Sequence, residues 1–370
     1  MPGLERERSW ERAQAQCRVW CVRQPSGQRN EVVARMERLG IIAAATPVFA
    51  APAVATWPLS DGTAGNMRQA DALAQALGIN PQAHRILAPR LPWRAWAPLH
   101  SPGSEHAYGA AFANALATPP LVAIGCGRQA ALATRLLRAR GTKAVQILDP
   151  RIDPSHWDLV IAPQHDRLRG NNVINTLGSL HPVDDLWLAQ ARAQFATFAD
   201  LPRPRTALLV GGSSRHVRFD RMAFEVLASR LEAVLARDGG SVLLSASRRT
   251  PRELRDVLRH RYTETPGLTW LDASEGDNPY PGLLAWADRI VCSPDSVNMI
   301  SEACATHAPV FVFDPGRARG RLRMFLDALL ARGRIRATDS TLAAFDVEPL
   351  RETARVAVEA RARLGLQTQP

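Results

Sequence analysis

The sequence predicts an α/β protein made of two doubly wound domains. Three observations predict it. Short apolar runs alternate with helical patterns through both halves of the chain, as in parallel sheets covered on both faces. The alternation stops at Asp200-Leu201-Pro202-Arg203-Pro204-Arg205 and then restarts. Polar and glycine-rich residues collect just after the strand-like runs, where ligands bind in such sheets. The expected organisation is an extension over residues 1–52, a first domain over 53–200, a second over 206–332 and a helical segment over 333–370.

Composition narrows the class. A chain of 370 residues has ample core-forming sequence for two domains. Its formal charge of +11 does not mark a nucleic-acid binder. Lys143 is the single lysine, the arginines are spread over many segments among Asp and Glu, and no basic-aromatic interleaving is present. Arginine does suit anionic groups such as diphosphates. The cysteines, Cys17, Cys21, Cys126, Cys292 and Cys304, are few, odd in number and without paired metal spacing. They imply a reduced, cytoplasmic protein with no metal site.

Residues 1–38 alternate Arg, Glu and Gln with little apolar periodicity and read as a mobile tail or an over-called start, with Met36 as an alternative initiator. Residues 39–57 are apolar and Ala-rich, but Pro47, Pro52 and Pro58 argue against an export leader or a spanning helix.

In the first domain, a strand over 53–59 ends in Ser60-Asp61-Gly62-Thr63-Ala64-Gly65-Asn66 and leads to a helix over 67–77, with Ala70, Leu73, Ala74 and Leu77 on one face. A strand over 84–87 and a helix over 105–116 flank a loop rich in Pro and Trp, including Trp93 and Trp96, which reads as an acceptor-side or membrane-facing lip or as a cover over the core edge. A strand over 121–124 runs into Gly125-Cys126-Gly127-Arg128-Gln129-Ala130, and the next strand ends at Asp149. This G-x-G-x-x-A pattern with a later acid is what a nicotinamide-dinucleotide site shows. It also occurs wherever a helix packs close to a strand. Strands over 158–162 and 173–176 end in Pro163-Gln164-His165-Asp166 and Leu177-Gly178-Ser179-Leu180-His181-Pro182, and a helix over 184–198 closes the domain. His165 beside Asp166 reads as an oriented general base.

The second domain repeats the scheme. A strand over 206–210 ends in Gly211-Gly212-Ser213-Ser214, and one over 241–245 ends in Ala246-Ser247-Arg248-Arg249-Thr250-Pro251. Thr250 is expected to cap the next helix, with Pro251 in its first position and Glu253 in its third. A further strand over 268–271 and one over 309–313 complete the pattern. Between them, Arg289-Ile290-Val291-Cys292 is a strand ending in Ser293-Pro294-Asp295-Ser296, and Ser296 caps a helix with Val297, Ile300 and Ala303 at helical spacing. Such turns offer backbone N–H groups and hydroxyls to a phosphate. Three of them at equivalent strand ends suit a nucleoside diphosphate. Residues 316–332 read as an amphipathic helix with a solvated basic start (Arg317, Arg319, Arg321, Arg323), and 351–364 as a last helix that crosses back onto the first domain.

Six motifs in order resemble the mitochondrial-fission ELM (elongated mitochondria) family: Ser60-Asp61-Gly62 with Gly65-Asn66, Pro163-Gln164-His165-Asp166, Asn175-Thr176-x-Gly178, Gly211-Gly212-Ser213, Ser247-Arg248-Arg249-Thr250 and Ser293-x-Asp295-Ser296-x-Asn298-Met299-x-Ser301-Glu302. The resemblance spans about residues 53 to 330. It implies two Rossmann-like domains in the arrangement of GT-B glycosyltransferases, with the acceptor on the first domain and a nucleotide-sugar donor on the second. The nucleotide sugar is then a substrate, and no cofactor is expected. On this reading Ser293, Ser296 and Asn298 hold the donor diphosphate with helix-terminal amides, and Asp295 belongs to the same donor-binding turn. Arg248 or Arg249 neutralises it as it leaves. Glu302 binds ribose or donor hydroxyls, and Gly211-Gly212-Ser213 let the backbone approach the phosphate. Asp61 or His165, the latter with Asp166, deprotonates the acceptor. No Asp-x-Asp motif is present, which favours a metal-independent mechanism. The rival readings are a nucleotide-sugar epimerase, a non-catalytic fission-type adaptor, and an NAD(P)-dependent oxidoreductase using Gly125 to Asp149. A cytoplasmic location is expected, with peripheral membrane contact as a second option.

Overall fold

A computed structural model describes residues 55–366. The expectations for residues 1–52, for a start at Met36, for Cys17 and Cys21 and for most of the apolar stretch before Trp57 lie outside the described residues. Residues 55–272 and 279–366 belong to one compact unit, which carries both sheets. Residues 273–278 fall outside it and hold a 3-10 turn, Ala273–Glu275.

The first sheet is wholly parallel. Its strands are β1 (Thr56–Ser60), β2 (Arg85–Ile86), β3 (Val122–Cys126), β4 (Lys143–Ile147), β5 (Leu159–Pro163) and β6 (Val173–Thr176), in the order β2-β1-β3-β4-β5-β6. The strands read as continuous apolar runs because both faces are covered. Val122, Ile124 and Cys126 enter one core with α1 (Ala64–Leu77), while Ala123 enters the other with Trp57 and Leu59. Short helices α2 (Trp93–Trp96) and α3 (Ala110–Ala115) follow β2, α4 (Arg128–Arg138) follows β3, and α5 (Asp185–Gln194) ends the domain. The helix expected over 105–116 is broken at Gly109, whose φ of 87° no right-handed helix admits, so a 3-10 turn at Ser104–His106 precedes α3.

The second sheet is also parallel, with strands β7 (Arg205–Val210), β8 (Ser241–Ala246), β9 (Gly267–Trp270), β10 (Arg289–Cys292), β11 (Val310–Val312) and β12 (Ile335–Ala337) in the order β12-β11-β10-β7-β8-β9. Ala207 and Leu209 face one core and Leu208 and Val210 the other. Around it lie α6 (Arg221–Asp238), α7 (Arg252–Arg261), α8 (Tyr280–Trp286), α9 (Val297–Cys304) and α10 (Gly320–Ala331). The two sheets are the expected pair of doubly wound domains.

Two details differ from expectation. Residues 333–370 were expected to be helical, yet Ile335–Ala337 adds an edge strand to the second sheet. The final helix α11 (Thr353–Leu364) does cross back: Val356, Ala357, Ala360 and Leu364 are buried in the first domain's core beside Leu73 and Leu77. Thr250, expected as the cap of α7, is not its cap; Pro251 holds that place without a side-chain bond. The Thr250 hydroxyl turns inward instead and donates to the carbonyls of Val210 and Gly211 at 3.0 and 2.8 Å, tying two strand ends together.

Candidate functional site

The strand order reverses between β1 and β3 in the first sheet and between β7 and β10 in the second. Loops leaving the carboxyl ends of strands at such points diverge and open a crevice. Both crevices contribute to one cleft of about 460 Å³. The first domain supplies Asn66 and Gln69 of α1, Gly127 and Arg128 at the start of α4, Asp149 and Arg151 after β4, and His165 and Asp166 after β5. The second supplies Ser214, Arg215 and His216 after β7, Arg249 after β8, Asp295, Val297 and Asn298 after β10, and Arg321 of α10.

The second-domain wall is built around Asp295, whose side chain is 0% exposed. Ser293 donates its hydroxyl to Asp295 Oδ1 at 2.6 Å and accepts the Gly211 N–H at 2.7 Å. Arg249 donates to Oδ2 at 2.8 Å. A Cβ on Gly211 would lie 2.2 Å from Asp295 Oδ1, and one on Gly212 would lie 2.4 Å from the Arg249 carbonyl oxygen. The close approach these glycines permit is therefore to the protein's own carboxylate and backbone. Ser213 accepts the Phe219 N–H, and Ser296 caps α9 by accepting the Met299 N–H at 3.4 Å. Asn298 lines the cleft and fills the space over Gly65 of α1, where a Cβ would sit 1.8 Å from its Nδ2. Arg248 is exposed and lies outside the cleft lining.

The first-domain residues divide. Asp61 does not line the cleft. Its Oδ1 accepts from the Thr63 N–H, the Thr63 hydroxyl and Asn66 Nδ2, so its work is to fix the turn and aim Asn66. His165 does line it, but Asp166 is not its orienter: Asp166 accepts from Arg321 of α10, and His165 Nδ1 has no hydrogen-bond partner. Burial lowers the His165 pKa, with Asp166 working against that and Arg321 adding to it. A neutral imidazole edge-on to Phe325 results, with ring centroids 5.8 Å apart.

Glu302 departs furthest from its expected role. It is 2% exposed, both its oxygens accept from Arg68 Nη1 at 2.6 and 2.8 Å, and Oε2 also takes the Tyr280 hydroxyl at 2.6 Å. A carboxylate so engaged is not presented to a sugar diol. Burial acts against the Arg68 charge, yet Glu302 and Tyr280 hold its pKa above the usual arginine value. Arg68, Tyr280, Arg128, Arg215 and Arg321 were not picked out as site residues. The basic stretch 317–323 and the G-x-G turn contained Arg321 and Arg128, but no local pattern shows where they point.

The charge of the cleft is the feature with chemical consequence. Five arginines face three aspartates. Arg249 pairs with Asp295, Arg321 with Asp166, and Arg151 with Asp149 at 3.3 Å. Among the described residues Arg128 and Arg215 have no carboxylate partner. Arg128 Nη2 donates to the carbonyls of Arg94 and Ala95, and Arg215 Nε donates to His216 Nε2. The nucleotide-type G-x-G turn opens into the same cleft. Its glycines are accounted for by protein atoms, since a Cβ on Gly125 would meet Thr134 and Gln146 and one on Gly127 would meet Asn66. Among the described residues no three of His, Cys, Asp and Glu gather as a metal-binding group.

The chain is 30% identical over 276 residues to the mitochondrial fission protein ELM1 of Arabidopsis thaliana, an alignment that takes in 66% of this chain and 64% of that protein's length. Among solved structures it is similar to UDP-GlcNAc 2-epimerase from Methanocaldococcus jannaschii, with a TM-score of 0.47 and 13% identity, covering 82% of this chain and 91% of that one. It is also similar to MurG from Acinetobacter baumannii, with a TM-score of 0.44 and 13% identity, covering 84% and 92%. The family model described as "Mitochondrial fission ELM1" matches residues 64–364, strand ends and cleft included, and the chain belongs to that family.

Proposed function

We propose that the cleft binds a nucleotide sugar through its diphosphate and that the protein is a glycosyltransferase-like enzyme. The observation that supports this reading is the surplus of guanidinium charge at the carboxyl ends of two parallel sheets, above all Arg128 and Arg215, which have no carboxylate partner among the described residues. Fixed cations in a cleft with little water stabilise a diphosphate as charge builds on it during departure of the sugar. His165 lines the cleft, and burial lowers its pKa, so it is the side chain proposed to take the acceptor's proton. Asn66, aimed by Asp61, and Asn298 offer amides to donor or acceptor hydroxyls.

The adaptor reading keeps one specific support. Asp61, expected as a base toward the acceptor, and Glu302, expected to bind ribose or donor hydroxyls, are both engaged in protein contacts. One experiment separates the two. Thermal melting is followed with UDP, GDP, CMP, their sugar conjugates and nicotinamide dinucleotides, in wild type and in Arg215→Ala. A ligand at a hundred times its Kd stabilises the native state by about 2.7 kcal/mol, a shift of several degrees. The expected result is a shift with one class of nucleoside diphosphate that is lost in Arg215→Ala. No shift with any nucleotide or nucleotide sugar would overturn the donor site and leave the adaptor.

A further inference from the structure

The segment between β2 and α3 carries a second surface, which the cleft chemistry does not use. Four large apolar side chains stand in solvent here: Ile86 is 61% exposed, Leu91 75%, Trp96 52% and Leu99 55%. They are not on a floppy loop. Arg94 N–H bonds the Arg90 carbonyl, Ala97 N–H the Trp93 carbonyl and Leu99 N–H the Trp96 carbonyl, which winds residues 90–99 into a small knot. Its underside is fastened to α4, where Arg128 donates to the carbonyls of Arg94 and Ala95 and Arg135 donates to that of Pro98. Trp93 packs inward against the first domain's core. The apolar groups are thus held outward by a rigid base.

The charge within the segment has one sign. No Asp or Glu occurs between Asp71 and Glu105, while Arg85, Arg90 and Arg94 are all exposed. Exposed Trp and Leu among arginines is the combination that seats in the headgroup region of a bilayer, where an indole has both an apolar and a polar surrounding and guanidiniums meet lipid phosphates. A purely acidic partner would match the arginines and not the four apolar side chains, whereas the headgroup region matches both. Among the described residues no helix is long and apolar enough to cross a membrane, so attachment here would be at the surface.

We propose that the knot over residues 90–99, together with Ile86 at the end of β2, is a docking surface for a membrane bearing anionic lipids. The proposal is independent of what the cleft binds. It is tested by sedimenting the full-length protein with vesicles of phosphatidylcholine alone and of phosphatidylcholine with phosphatidylglycerol, alongside the double variant Leu91→Glu/Trp96→Glu, the double variant Arg90→Gln/Arg94→Gln, and the control Met222→Glu, which alters an exposed apolar residue of α6. Circular dichroism melting confirms that each variant is folded. The expected result is binding to the anionic vesicles that falls at least tenfold in both lip variants and is unchanged in the control. The proposal is overturned if wild type does not sediment with anionic vesicles, or if folded lip variants sediment as well as wild type, which would move any membrane contact to another part of the chain. It is overturned equally if the lip variants abolish a concentration-dependent dimer instead of vesicle binding.

Discussion

Asp295 and Glu302 are buried carboxylates, and each is tolerable only because every oxygen has a donor. Buried histidines take the opposite solution and remain neutral. His181 is 4% exposed, and burial lowers its pKa despite the attraction of Glu302 and Glu352 nearby. Below the ordinary histidine value of about 6.5 the unfolded chain takes up a proton that the folded protein resists. The stability that His181 contributes is therefore present above about pH 6.5 and is lost as pH falls through its lower folded value. Melting curves between pH 7.5 and 5 are expected to show a falling Tm, and His181→Leu is expected to flatten that fall in part, since His165 titrates in the same direction. An unchanged slope in the variant would remove His181 from the account. The sequence made residues such as Ser293, Asp295 and Asn298 legible as a turn with ligand-like chemistry. It could not show that Asp295 is already matched by Arg249 or Glu302 by Arg68, because these partners are brought together by the fold from distant positions.

At the scale of elements, α9 shows how a short helix at the cleft wall is secured at both ends. Ser296 caps its start. Its last carbonyls are taken by Arg334, a guanidinium with almost no exposure that donates to the carbonyls of Cys304, Ala303, Thr306 and Ala308. A cation suits a helix C-terminus, and burial strengthens the interaction. Arg334→Met keeps the bulk but leaves those carbonyls unsatisfied, and is expected to cost about 2–4 kcal/mol in urea unfolding. A loss below 0.5 kcal/mol would show that the carbonyls find other donors. Elements of this kind were readable where apolar runs and cap residues coincide, as at Arg289–Cys292 and Ser296. Thr250 misled because a hydroxyl before a proline fits a helix start equally well as a turn brace. The fold decided for the brace, since Val210 and Gly211 carbonyls lie within its reach.

At the scale of the whole molecule, ion pairs that join the two domains include, among the described residues, Arg68 of α1 to Glu302 of α9 and Asp166 after β5 to Arg321 of α10. The first is the tighter constraint, because Glu302 is buried and Tyr280 of α8 shares it. Arg68→Met would strand the carboxylate with a single donor. Because the Arg68 side chain is 40% exposed, the expected loss lies below the usual range for breaking a buried pair, at about 2 kcal/mol. Glu302→Gln in the same background is expected to restore part of it, so a double-mutant cycle followed by urea unfolding should give a coupling energy well above 0.5 kcal/mol. Strict additivity would mean that the pair does not hold the domains.

The return of α11 to the first domain has a consequence for how the protein is made. The first sheet leaves the ribosome early, but the face that Val356, Ala357, Ala360 and Leu364 cover stays open until α11 has been translated. The second domain, continuous in the chain from Arg205 to Ala337, has all its strands well before that. The half synthesised first is therefore sealed after the other has all its strands, and through that interval its apolar surface stays open to misassociation.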